Sequence, residues 1–327
     1  MRRLLSAFGA VLLSALVAVP ASGAPKKHLK IGYAVSYGTN ITVPIIIQGV
    51  KDELAKPQWT SKYDIELIVT DAGSQDVGTK MRADLEDLFA QKVDALFVFP
   101  ADASTEAGVA IRDLYNKKGI PVAITDIGVP FGEYVSFTTS DNYKGGQMAA
   151  DCAARFMKKK DKAQGWLSYA GSQNAQQRVK GYEDRMREIG MTVLPTSPIT
   201  NSTAESGQSH IEDLLTSDPD IRSLFVVTYP PFIGAAKVLT DRGLAGKVYL
   251  TMFDIDKVTL ELLRSGAIRC AIMQDMHGLG QKAAEQLMNF MSGSKVTAKD
   301  IRLAPILVTT DNLKDYEKTP VIQPFVQ

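Results

Sequence analysis

The chain has 327 residues, 45% of them hydrophobic and 22% charged, long enough for two packed domains with cores of their own. Its 37 basic and 36 acidic residues give a formal net charge of +1, which excludes the basic surplus that nucleic-acid binding demands. Two cysteines are too few for a fold that depends on a disulfide framework.

The first 24 residues read as an export signal. Arg2 and Arg3 give a positive start, residues 4–19 form an uncharged apolar run, and Pro20-Ala21-Ser22-Gly23-Ala24 supplies small residues. That is the order of a secretory signal peptide, and the run is short for a spanning helix, which needs about 20 apolar residues. Pro25 would hinder a cut behind Ala24, so cleavage is expected after Gly23 or Ala21, making residues 1–23 the signal peptide. The mature chain loses two positive charges and no negative one, leaving −1. No cysteine stands near the cut to carry a lipid, and no later stretch matches a membrane span. A soluble protein of a bacterial periplasm is expected.

Beyond the leader, short apolar runs alternate with amphipathic ones. Strands are expected at Leu29–Val35, Ile65–Thr70, Ala95–Phe99, Pro121–Thr125 and Tyr134–Thr139. Helices are expected at about 43–56, 75–91 and 104–118. In the second, Val77, Met81, Leu85 and Leu88 recur at spacings of three and four and so share one face. Runs such as Ala95-Leu-Phe-Val-Phe99 suit parallel strands covered on both faces. The pattern then repeats, with a helix at 142–158 and strands near 165–170, 191–196, 223–228, 247–251 and 267–273. The intervening helices fall near 174–189, 204–216, 231–242, 256–264 and 278–291. The run Lys158-Lys-Lys-Asp-Lys162 reads as a solvated turn. So many strands predict an α/β chain of two doubly wound parallel-sheet lobes joined by short hinge segments. Cys152 and Cys270 form one disulfide or stay as two buried thiols; sequence does not supply the Cα separation that decides.

In such sheets ligands bind beyond the carboxyl ends of the strands. Seven of those ends are polar here: Ser36–Asn40, Pro100-Ala101-Asp102, Asp126, Ser140-Asp141-Asn142, Thr228-Tyr229, Phe253-Asp254 and Gln274-Asp275. Any one of these residues is also an ordinary helix cap or turn former. Together they suit a polyhydroxylated ligand, whose buried hydroxyls each need a partner.

The ordered set Ile120-Pro-Val122 before Asp126, Ser140-Asp-Asn-Tyr-Lys-Gly-Gly146, Arg178-Val-Lys-Gly-Tyr182, Phe253-Asp254, Gln274, and Leu307-Val-Thr309 before Asp311-Asn-Leu313 resembles the ribose-binding-like periplasmic sugar-binding proteins of ABC importers. The resemblance covers nearly all of the mature chain. It implies a type I periplasmic binding protein fold with hinge crossings near Thr139–Asp141, Gln274–Asp275 and Arg302–Leu303. Lobe 1 would hold residues 29–139 and 275–302, lobe 2 residues 140–274 and 303–312, and the tail residues 313–327. Carried over by position, Asn40, Asp126, Asn142, Gln176, Arg178, Thr228, Asp254 and Gln274 would bind the ligand, with Phe253 beside its ring. Tyr37, Thr42 and Tyr229 join them as weaker candidates. Ile127 stands where ribose-like members often carry arginine, Thr42 and Val43 where they carry two aromatics, and Gln176 and Thr228 where arginine and asparagine are usual. Ribose itself is therefore in doubt; a polyol, cyclitol, deoxy or methylated sugar, or furanose-like signal would fit.

The expected role is capture of a sugar or polyol for an inner-membrane ABC permease, by a monomer that needs no metal or cofactor. A sensor that presents the ligand to a chemoreceptor or sensor kinase would use the same ligand physics. Asp126 and Asp254 would also serve a glycosidase, but the chain has three scattered histidines, His28, His210 and His277, and no phosphate loop, H-E-x-x-H or G-x-S-x-G motif. A lac-type repressor would carry a helix-turn-helix where the leader stands.

Overall fold

The computed structural model describes residues 25–38, 40, 42–101, 104–168, 172–199 and 201–317. The expected leader, Asp102 and the last ten residues of the expected tail lie outside them.

In chain order the elements are β1 Lys27–Val35, α1 Thr42–Leu54, α2 Pro57–Thr60, β2 Tyr63–Asp71, α3 Val77–Ala90, β3 Ala95–Phe99, α4 Ser104–Ala110, β4 Val122–Thr125 and β5 Ser136–Ser140. There follow α5 Asn142–Ala154, β6 Lys162–Ser168, α6 Gln173–Glu188, β7 Thr192–Val193, β8 Ser197–Ile199, α7 Ala204–Ser217, β9 Ile221–Val226, α8 Tyr229–Asp241 and β10 Tyr249–Met252. The chain closes with α9 Lys257–Arg264, β11 Cys270–Met273, α10 Met276–Met291, β12 Asp300–Leu303, β13 Ile306–Thr309 and α11 Leu313–Tyr316.

Six strands form one wholly parallel sheet in the order β12-β5-β4-β3-β1-β2. A second parallel sheet runs β10-β9-β6-β7, with β8 also paired to β6. The antiparallel pair β11-β13 continues it through a bridge between Phe253 and Ile272. These are the two lobes of an α/β doubly wound fold.

Burial on both sheet faces explains the unbroken apolar runs. In β1, Leu29, Ile31, Tyr33 and Val35 pack with Ile46, Val50, Leu279 and Leu287 of α1 and α10. In β3, Leu96 and Val98 point the other way, onto Met81, Leu85 and Leu88 of α3. Three helix pairs approach through reciprocal glycines. A Cβ on Gly49 would lie 2.0 Å from the His277 carbonyl, and one on Gly280 2.0 Å from that of Ile46. Gly146 and Gly181 stand likewise against the carbonyls of Arg178 and Tyr143, and Gly207 and Gly234 against those of Pro231 and Ala204. In α1–α10, α5–α6 and α7–α8 the backbones thus meet where a methyl group would hold them apart.

Some expectations are corrected. The run at 191–196 is a strand only at Thr192–Val193; after the Leu194 amide bonds the Ala163 carbonyl at 2.8 Å the chain leaves β6, and it rejoins it beyond the expected run at Ser197–Ile199. The helix expected at 104–118 stays α-helical only to Ala110 and finishes through a π turn, Ile111–Tyr115, and a 3-10 turn, Asn116–Lys118. It stops at Gly119, whose φ of 68° lies in the left-handed region that glycine favours. β12 and β13 were not anticipated. Cys152 and Cys270 form a disulfide, with Cα atoms 6.6 Å apart, inside the range such a bridge spans.

The chain passes between the sheets three times: after β5 into α5, after β11 into α10, and between β12 and β13. At the first two an aspartate caps the departing helix. Asp141 Oδ1 accepts from the Lys144 amide at 3.0 Å, and Asp275 Oδ1 from the Gly278 amide at 2.8 Å.

Candidate functional site

A cavity of about 230 Å³ lies between the lobes, at the carboxyl ends of strands from both sheets. The first lobe supplies Tyr37 after β1, Phe99 of β3, Asp126 and Ile127 after β4, and Asn40, Thr42 and Met276 near the starts of α1 and α10. The second supplies Val227 and Thr228 after β9, Asp254 after β10, Gln274 after β11, and Ser172, Asn174, Ala175 and Arg178 around the first turns of α6.

The backbone is unusual where these strands end. Tyr37, Ala101, Asp126 and Asp254 all have positive φ, at 56°, 44°, 63° and 67°. Non-glycine residues rarely hold this conformation, and such strain concentrates at functional sites. Hydrogen bonds fix two of the corners. The Asp126 amide donates to the Thr138 carbonyl, and its own carbonyl accepts from Thr139 Oγ1, both at 2.7 Å. The Asp254 amide donates to the Ile272 carbonyl at 2.7 Å.

Charge in the cavity is arranged around one guanidinium. Arg178 is buried, donates from Nε to Asn142 Oδ1 at 2.7 Å, and lies 3.9 Å over the Phe253 ring. Phe253 packs edge-on against Phe225, which stacks on Tyr182. The guanidinium therefore rests on an aromatic column and feels the charges of the Asp126 and Asp254 carboxylates without a direct ion pair to either. Burial works to lower its pKa and the two carboxylates oppose this. Burial pushes Asp126 up to about 6; Arg178 pulls it down and Asp254 pushes it further up. Gln274 donates from Nε2 to Asp254 Oδ1 at 2.8 Å, while its Oε1 is buried without a partner. A hydroxyl in the cavity would satisfy that oxygen.

Of the residues singled out in the sequence, Asn40, Asp126, Arg178, Thr228, Asp254, Gln274, Tyr37 and Thr42 are brought together on the cavity wall. Asn40 also caps α1, its Oδ1 accepting from the Thr42 amide and hydroxyl at 3.1 and 2.9 Å. Thr228 donates to Ser168 Oγ at 2.8 Å. The others stand elsewhere. Asn142 is buried behind Arg178, passing the load to the Ser140 carbonyl through Nδ2 at 3.1 Å. Phe253 is buried under the guanidinium and shows no face to the cavity. Gln176 is exposed on α6 and off the wall, since two residues turn a helix by about 200° and Arg178 takes the inner face. Tyr229 is exposed at the start of α8 and bonds Asp256. Asn174 was missed, although it lies four residues before Arg178 and so on the same helix face. Its Nδ2 donates across the cleft to the carbonyl and Oδ1 of Asp126, at 3.3 and 3.4 Å. Phe99, Ser172 and Met276 were also missed.

Two doubly wound lobes with a strained, polar cavity between their strand ends define a cleft-binding receptor of the type I periplasmic binding protein class. A family model described as a periplasmic binding protein domain matches residues 31–295, and the chain belongs to that family, one of solute-binding components and not of enzymes. The ribose import binding protein of Bacillus subtilis (strain 168) is 27% identical over 279 residues, spanning 85% of this chain and 87% of that protein. That of Escherichia coli (strain K12) is 28% identical over 299 residues, spanning 91% and 96%. The periplasmic ribose ABC transporter structure from Conexibacter woesei superposes with a TM-score of 0.81 at 17% identity, covering 93% of this chain and all of that one. An ABC transporter solute-binding protein from Bacillus halodurans with bound myo-inositol gives 0.75 at 21%, covering 90% and 98%. Among the described residues no helix is long and apolar enough to cross a membrane, and no group of three or more His, Cys, Asp or Glu is placed to hold a metal ion.

Proposed function

We propose that the protein is a periplasmic receptor that captures a sugar or polyol between its lobes and delivers it to an ABC import permease. The observation that carries this reading is the convergence of Asp126, Asp254, Arg178 and the unpartnered Gln274 Oε1 on one cavity. Ionised acceptors, a multiple donor and an amide can pair with hydroxyls that both donate and accept. The ribose proteins among its relatives and the sugar- and inositol-bound structures with its fold support the same ligand class.

The lobes of this reading are residues 29–139 with 275–302, and 140–274 with 303–312, followed by a tail at 313–327. The pairing of β5 with β12 in the first sheet, and the bridge from the β11-β13 pair to the second, support this division, although Ser140 and Leu303 still pair in the first sheet. Residues 1–23 are an export signal removed on the way to the periplasm, and the mature protein works as a monomer. Ligand favours the closed arrangement by its differential affinity for closed and open forms. Asn40, Asp126, Arg178, Thr228, Asp254 and Gln274 contact the ligand, with Tyr37 and Thr42 at the rim. Asn142 and Phe253 act through Arg178.

The test is a thermal-shift screen of the mature protein against sugars, polyols, cyclitols and amino acids, followed by calorimetry. A ligand that binds only the folded form raises Tm by mass action. A polyhydroxylated compound is expected to do so, and Asp254→Ala to weaken its binding more than tenfold, since a hydrogen bond to a charged group contributes about 1.5–3 kcal/mol. Shifts with amino acids alone would sink the reading.

A further inference from the structure

The cleft has a second chamber. Its volume is about 570 Å³, more than twice that of the inner cavity, and Ala101, Ile127, Ser172 and Asn174 line both. The two chambers adjoin at these shared residues, which form a waist between them. The inner chamber holds about seven or eight water volumes, at roughly 30 Å³ each, which is room for a single sugar ring. A free monosaccharide would leave the outer chamber to water.

We propose that the cleft takes a glycoside, with its sugar ring in the inner chamber and a ring-sized, partly apolar aglycone in the outer one. This rests on the sugar reading above and specifies the class of sugar derivative.

The walls of the outer chamber differ. Ile127, Val129 and Phe137 give the first lobe's wall an apolar surface, Tyr134 meets Phe137 edge-on at 6.4 Å, and Asp300 and Arg302 of β12 set a charged edge beside it. The opposite wall is the start of α6, which presents the amides of Gln173 and Gln177. An apolar surface with a few placed polar groups is the usual lining for an organic ring with polar edges. Water against the apolar wall would be displaced favourably by such a ring.

The waist suits the passage of a glycosidic bond. Ile127 brings no charge to a point where a neutral ether must pass. Asn174 reaches Asp126 only at 3.3 and 3.4 Å, at the long end of hydrogen-bond distances, so its amide can turn to a bridging oxygen at small cost. Pro130 and Gln173 on the outer chamber's rim are exposed, which leaves the far end of the aglycone open to solvent.

Calorimetry on matched pairs tests this: D-ribose, D-glucose and D-galactose, each beside its phenyl β-glycoside. For a sugar that binds, the phenyl glycoside is expected to bind at least tenfold more tightly. Val129→Trp and Gln177→Trp, both outside the inner chamber, should abolish that advantage and keep the free sugar's affinity, which also shows that each variant folds. Phenyl glycosides that bind no better than their free sugars would overturn the inference and leave the sugar reading standing. Binding by neither member of any pair would count against the sugar reading itself and remove the inference with it.

Discussion

Asp126 shows how far a single residue's behaviour follows from its surroundings. It is buried within the electrostatic reach of Arg178 and Asp254, and burial outweighs the guanidinium in raising it to about 6. Its carboxyl is harder to ionise in the folded protein than in the unfolded chain, where aspartate titrates near 3.9. Its contribution to folding is therefore full below pH ~4 and is lost as pH rises through ~6, a change of roughly 3 kcal/mol at about 1.4 kcal/mol per pH unit. Asp126→Asn should remove that slope. The difference in Tm between variant and parent, measured without ligand from pH 4 to 7, should move in the variant's favour and level off above 6; a constant difference would show that Asp126 does not titrate there. Asp126 and Asp254 were legible in the sequence because each follows an apolar strand run directly. Gln176 was misplaced because motif position says nothing of helix rotation. Asn174 and Arg178, a full turn apart, carried a usable signal, and a count of two from Gln176 to Arg178 already placed those side chains on opposite faces.

At the scale of elements, α6 matters most, because it carries Asn174 and Arg178 into the cleft and is held by α5. The contact depends on Gly146 and Gly181, where an added Cβ would lie 2.0 Å from a facing carbonyl oxygen. Backbone cannot yield as a flexible side-chain end can, so Gly181→Ala must push the helices apart. Overpacking of this kind costs about 1–3 kcal/mol, and a shift of α6 also takes Arg178 off Asn142 and Phe253. The expected result is a Tm lower by several degrees, at about 2–4 °C per kcal/mol for chains of 150–250 residues, together with weaker ligand binding. Lower stability with unchanged affinity would mean that α6 moves as a unit with its site. Long helices and doubly covered strands were legible because periodicity persists over them. β12 was not, since Asp-Ile-Arg-Leu is a four-residue edge strand with charged residues exposed, a pattern shared with ordinary loops. β13 was not, because pairing with distant β11 defines it more than its own four residues do.

Across the whole molecule, the two-lobe architecture was legible because it follows from the number of strands and their order. The disulfide was not, since it depends on where α5 and β11 come to rest. It joins the last turn of α5 to the first residue of β11, elements that adjoin two of the three passages between the sheets. Each element has one end at a passage and the other at this bond. Cys270 lies four residues before Gln274, about 13 Å along an extended chain, so the bond is remote from the ligand-facing end of β11. It closes a loop of 118 residues, and loss of such a cross-link costs about 2–5 kcal/mol, chiefly through the greater freedom of the unfolded chain. The Cys152→Ser, Cys270→Ser double variant should therefore melt clearly below the parent, and reductant should lower the parent's Tm towards the variant's. Ligand affinity should change less than threefold, because Asp254 and Gln274 keep their hydrogen bond and Arg178 keeps its support. A large loss of affinity with a small loss of stability would reverse this assignment and make the bond a brace for the cleft.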